Sequence, residues 1–102
     1  MTEKLGICVV TRDNMPHVLG LAKAAERAGK HTEIFLTGEG VHLTQEPNFS
    51  ELLEVARVGI CEVSYIANGY KDKPVPGLVD KDFVTQMRNA EMVAKCDRYL
   101  IL

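Results

Sequence analysis

Cys8, Cys61 and Cys96 carry the softest nucleophiles in the chain. A thiolate, not a thiol, attacks an electrophilic sulfur, so each cysteine must be judged by what favours loss of its proton. Cys61 closes the apolar run 58–61. If a helix starts directly after it, backbone N–H groups and the positive end of the helix dipole favour the thiolate. The adjacent Glu62 acts in the opposite sense, because a neighbouring carboxylate opposes a second negative charge. A buried structural cysteine is the alternative reading, and it is the commoner fate of a lone cysteine in an apolar stretch. Cys8, between Ile7 and Val9, and Cys96, in the last turn of a C-terminal helix, read as small core residues. An odd number of cysteines separated by 53 and 35 positions suits neither a disulfide framework nor a clustered zinc site. No metal or cofactor is called for, and a reducing cytoplasm is the simplest setting.

The elements that would position Cys61 follow from apolar spacing. Residues 5–10 form a short run rich in β-branched side chains, and Asp13, Asn14 and Pro16 then signal a loop and a helix start. Val18, Leu21, Ala22, Ala25 and Ala28 recur at helical spacing, and Gly29 stops the helix. Residues 31–36 make a second strand, broken by Thr37-Gly38-Glu39-Gly40. Asn48 and Glu51 form a capping-box pattern for a second helix that ends near Arg57. Residues 62–68 fit either a strand or a short helix up to Gly69. The Lys-, Pro- and Gly-containing stretch 70–79 reads as an exposed, mobile loop. Asp80 can cap a third helix whose buried face is Phe83, Met87, Ala90, Val93 and Ala94, and residues 99–102 close the chain as a strand. Strands alternating with helices predict one α/β domain over residues 1–102, three layers deep, around a parallel sheet.

In such a sheet every strand-to-helix loop emerges at one edge, where ligands bind. The residues brought there are Asn14 and His17 after the first strand, Gly38, Gly40 and His42 after the second, and Cys61, Asn68 and Gly69 after the third. His17 and His42 could orient or protonate a substrate, although loop histidines are more often solvated. Gly38 and Gly40 resemble half of a phosphate loop, but the third glycine of a dinucleotide fingerprint is missing, so turn geometry is the main reading. Lys71 and Lys73 could steer an anion, or simply be solvated.

Bulk composition narrows the partners. Of 102 residues, 46% are hydrophobic and 25% charged, in the range of folded globular domains. Twelve basic against 14 acidic residues give a net charge of -2, with no overall basic field for nucleic acid or an anionic membrane. No apolar run is long enough to span a bilayer.

The chain also resembles the DsrE/DsrF family, which includes TusD-type sulfur-relay subunits. The resemblance rests on the order of several features: the alanine-rich stretch 22–28, Gly29-Lys30-His31, Ile34-Phe35-Leu36, Gly40-Val41, an apolar strand ending in Cys61 with Gly69 eight residues on, and Cys96-Asp97-Arg98 before the last strand. It implies a DsrE-like (flavodoxin-like) fold with a mostly parallel sheet of four to five strands. It also implies a homo-oligomer, trimer or hexamer, in which Cys61 accepts sulfane sulfur from a donor protein and passes it to an acceptor protein. Sulfur-relay members often carry an arginine just before the glycine, where this chain has Ala67-Asn68-Gly69. The functional expectation is a cytoplasmic persulfide carrier. The alternative is a non-enzymatic homo-oligomeric binding module with a structural cysteine, and nucleotide or flavin binding at the same edge ranks third.

Overall fold

The computed structural model describes residues 3–102. Five strands, β1 (Lys4–Val9), β2 (His31–Leu36), β3 (Arg57–Cys61), β4 (Phe83–Val84) and β5 (Arg98–Ile101), form one sheet in the order β4-β3-β2-β1-β5. Every neighbouring pair is parallel. Helices α1 (Met15–Arg27), α2 (Phe49–Val55), α3 (Glu62–Ala67) and α4 (Met87–Lys95) complete a three-layer α/β sandwich of the flavodoxin-like kind. A 3₁₀ segment, Gly38–Gln45, precedes α2, and a short 3₁₀ turn, Asp80–Asp82, precedes β4.

Chain direction dictates which face each helix covers. From β1 to β4 the chain steps one way across the sheet, and right-handed crossovers put α1, α2 and α3 on one face. Returning from β4 to β5 it crosses back over three strands, so α4 falls on the other face. The two cores reflect this split. Ile7, Val9, Ile34, Leu36, Val58 and Ile60 pack with Met15 and Val18 of α1, Leu52 of α2 and Tyr65 of α3. The opposite pleat positions, Cys8, Phe35 and Cys61, pack beneath Met92 of α4. Gly6 and Gly59 permit that approach, because a Cβ on Gly6 would lie 3.0 Å from Cys96 Sγ and one on Gly59 3.0 Å from Arg88 Nη1.

One open choice is settled and three expectations change. The stretch 62–68 is resolved as helix α3, directly after Cys61. The capping box does not form: Asn48 makes no side-chain cap, and Glu51 instead accepts a hydrogen bond from Lys23 of α1 at 2.8 Å. The stretch 70–79 is exposed for most of its length but anchored, with Val75 buried and the Tyr65 hydroxyl donating to the Lys73 carbonyl at 2.6 Å. Asp80 starts a 3₁₀ turn rather than a long helix, and two-residue β4 intervenes before α4, whose N-cap is Gln86.

The largest departure concerns α4. Its expected buried face, Met87, Ala90, Val93 and Ala94, is exposed, while Met92 is buried and Arg88 and Asn89 are partly buried against the sheet. Tyr99 Oη donates to Asn89 Oδ1 at 2.7 Å, and the Arg88 stem lies over Gly59 and beside Val84. The sheet beneath is lined by Gly6 and Gly59, so a long polar side chain fills the space that a larger apolar pair would need.

Candidate functional site

Cys61 is the last residue of β3 and the N-cap of α3. Its pleat position turns it toward the α4 layer, and the residue is 4% exposed. Three polar side chains from three different elements converge on the sulfur. Thr37 follows β2, Ser64 lies in the first turn of α3, and Gln86 caps α4 from a position 25 residues along the chain.

The hydrogen bonding around them is directional. Gln86 Nε2 donates to Thr37 Oγ1 at 2.9 Å and to Cys61 Sγ at 3.5 Å. The backbone N–H of Gly38 donates to Ser64 Oγ at 2.9 Å, and the two hydroxyls stand 3.3 Å apart. Each hydroxyl oxygen therefore already accepts a hydrogen, which leaves its own O–H free to donate. Burial raises the pKa of Cys61, but hydrogen bonding from Ser64, through both its hydroxyl and its backbone N–H, and from Thr37 and Gln86 outweighs this and holds the thiol below its ordinary value. Cys8 and Cys96 move the other way. Burial pushes both up, against a partly offsetting hydrogen bond from Tyr99 at Cys8 and reinforced by the charge of Glu33 at Cys96. Of the three thiols, only Cys61 has its thiolate favoured.

Glu62, expected to oppose ionisation, is exposed and is not among the groups acting on the sulfur. Asn68, just before Gly69, is structural. Its Nδ2 donates to the Ser64 carbonyl at 2.7 Å and to the Gly38 carbonyl at 3.2 Å, tying the end of α3 to the loop after β2. Gly69, at φ +90°, ends α3.

The other sequence-selected residues divide. Gly38, at φ +55°, belongs to the Cys61 site through its N–H. Gly40 is buried against the end of β1, where a Cβ would come within 2.0 Å of the Val9 carbonyl oxygen. His42 turns away from the thiol: its Nδ1 shares a hydrogen bond with the Tyr70 hydroxyl, and its Nε2 is buried without a partner among the described residues. Asn14 Nδ2 donates to Thr11 Oγ1 at 2.8 Å, and His17 is exposed on α1. Neither joins the site.

Strand order would place a ligand crevice beside β1, where the chain reverses direction across the sheet. There the β1–β5 ladder runs on past the strands, with backbone hydrogen bonds from Val10 N to Leu102 O (2.7 Å) and from Leu102 N to Cys8 O (2.8 Å). The polar groups gather two strands away instead. A hollow of about 490 Å³ lies between α3 and the stretch 71–80, lined by Glu62, Tyr65, Ile66, Lys71, Val79 and Phe83, and none of the side chains around the Cys61 sulfur lines it. Among the described residues no His, Cys, Asp and Glu side chains cluster in a way that would hold a metal ion, and no helix is long and apolar enough to cross a membrane. No protein-family model matches the chain, and no curated protein matches it.

Proposed function

We propose that this chain is a single-cysteine sulfur carrier of the DsrE/DsrF kind, working in a reducing, cytoplasmic setting. The observation that carries the reading is the contrast among the thiols: Cys61 alone sits at the ligand edge among hydrogen-bond donors that favour its thiolate. Neutral donors from Thr37, Ser64 and Gln86 supply what an arginine would otherwise contribute. The Cys61 thiolate attacks the outer sulfur of a donor persulfide, the donor's S–S bond breaks, and the donor leaves as a thiolate. Cys61 then bears the persulfide, and its inner sulfur becomes the leaving group when an acceptor thiolate attacks the outer one. No outside oxidant or reductant is needed, since the donor is reduced as Cys61 is oxidised. Gln86 lies exposed over the sulfur, and its displacement opens the thiol to the donor. Assembly as a trimer or hexamer belongs to the same reading.

Incubation with a small persulfide donor is expected to add the mass of one sulfur atom to the native protein, and Cys61→Ser is expected to lose the adduct. Equal loading of Cys61→Ser refutes the assignment. One observation favours a second reading, a binding module with a structural cysteine: the 4% exposure of Cys61. Thiol labelling of the folded protein separates them, because a structural Cys61 stays unlabelled until denaturant is added.

A further inference from the structure

We infer that the outward face of α4 is a two-fold contact with a second copy of this chain. The inference stands apart from the sulfur-carrier reading and does not depend on it. Met87 and Val93 are 66% and 56% exposed, and Ala90 and Ala94 between them are exposed as well. At 100° per residue Met87, Ala90 and Ala94 form the stripe farthest from buried Met92, with Val93 on one flank and Glu91 and Lys95 on the other. The helix thus turns its apolar side to water and its Arg88 and Asn89 to the sheet, the reverse of a helix that serves only its own core.

Charge and shape both select a second copy as the occupant. Glu91 and Lys95 are exposed, one turn apart, and neither joins an ion pair among the described residues. Set two α4 helices antiparallel with the two-fold axis level with Val93. Glu91 then stands level with Lys95 of the second copy, and the pair occurs twice. The same axis puts Val93 against Val93 of the second copy and drops that copy's Ala94 between Ala90 and Ala94, where small side chains let the helices approach, while Met87 lies past the end of that copy's α4. Ile101, 64% exposed and on the same sheet face as α4, extends the apolar surface. The axis lies about 10 Å along the helix from Gln86, so both Cys61 sites stay open in the pair.

A nine-residue helix gives less than the ~800 Å² per partner of a standard interface, so the contact is weak and the association depends on concentration. Sedimentation velocity over a concentration series is expected to show reversible doubling, monomer to dimer or trimer to hexamer. Ala94→Arg, an exposed change whose fold is checked by circular dichroism, is expected to abolish it. Glu91→Lys sets lysine against lysine twice and is expected to raise Kd about tenfold, while Glu91→Lys with Lys95→Glu returns it to within about twofold. A chain that stays monomeric at ~1 mM, an assembly untouched by Ala94→Arg, or a double exchange as weak as Glu91→Lys alone overturns the inference.

Discussion

Substituting Gly40 by alanine tests how the loop after β2 is held against the sheet. The new Cβ would stand 2.0 Å from the Val9 carbonyl oxygen and 2.7 Å from its carbon. Both neighbours are backbone atoms inside β1, so no side chain can swing aside. The 3₁₀ segment must retreat instead, and it carries Val41 and Leu43, both fully buried. Retreat also stretches the hydrogen bond from the Thr37 N–H to the same Val9 oxygen, now 3.0 Å. Overpacking against a fixed wall costs about 1–3 kcal/mol, and the weakened hydrogen bond adds roughly 0.5–1.5 kcal/mol, so Gly40→Ala is expected to destabilise by roughly 2–4 kcal/mol. Two other glycines calibrate the value. Gly38→Ala meets nothing nearer than 3.8 Å and bears only the left-handed backbone penalty of about 1–2 kcal/mol. Gly20→Ala, inside α1 with open space around it, is expected to stabilise by about 0.5–1 kcal/mol. Urea unfolding of the three variants, compared at constant m, gives the order. A Gly40→Ala cost no greater than that of Gly38→Ala refutes the reasoning. Because the displaced segment starts one residue after Thr37, Gly40→Ala is also expected to alter the labelling rate of Cys61.

The thiols give opposite pH dependences. Cys61 is held below its ordinary value, so the stability it contributes is complete above the unfolded thiol's pKa and is lost as pH falls through the folded one. Cys8 and Cys96 are raised, so theirs is complete below the unfolded pKa and lost as pH rises through the folded one. Measured against the parent chain, the cost of Cys61→Ser should grow and that of Cys8→Ser should shrink as pH rises from neutral, and native-state alkylation of Cys61 should rise at lower pH than after denaturation; a later rise would refute the donor assignment. Thr32 is 4% exposed and its hydroxyl has no partner among the described residues. Thr32→Val keeps the branched shape and is expected to stabilise by about 1–3 kcal/mol, and a lowered urea midpoint would show that the hydroxyl is satisfied after all.

How much of this was legible in the sequence depended on range. The first two strands, α1 and the placement of Cys61 at the sheet edge follow from local periodicity and from the parallel topology it implies. Thr37 and Ser64 were within reach of the same reasoning, since one follows a strand and the other stands three residues after an N-cap. Gln86 was not. Nothing near residue 86 marks it, and it meets Cys61 only because two-residue β4 pairs with Ile60 and Cys61 and turns the chain into α4 beside them. A strand that short has no periodicity to detect. The capping pattern at Asn48 failed for a related reason, as Glu51 found a partner in Lys23 on another helix.

The orientation of α4 shows what periodicity can and cannot establish. The spacing of Met87, Ala90, Val93 and Ala94 correctly marks an amphipathic helix, but a pattern of apolar residues does not say which neighbour they meet. Crossover handedness fixes α4 as the one helix on its face of the sheet, so its inner side must fill the space over Gly6 and Gly59, and Met92, Arg88 and Asn89 do this. The apolar side is then free for a partner. The same topology explains why the thiol site lies where it does. With α1, α2 and α3 packed over the other face, the α4 layer is where a strand-end cysteine meets a side chain from the α4 N-cap. Gln86 belongs to both features, as the donor over Cys61 and as the residue from which the outward face of α4 begins. A charge on that face far from Gln86, as in Ala94→Arg, should therefore change association without changing Cys61 labelling, whereas Gln86→Ala should change labelling without changing association. If the two variants each move both readouts, the thiol site and the helix contact are one coupled device, and the separation drawn from the fold is wrong.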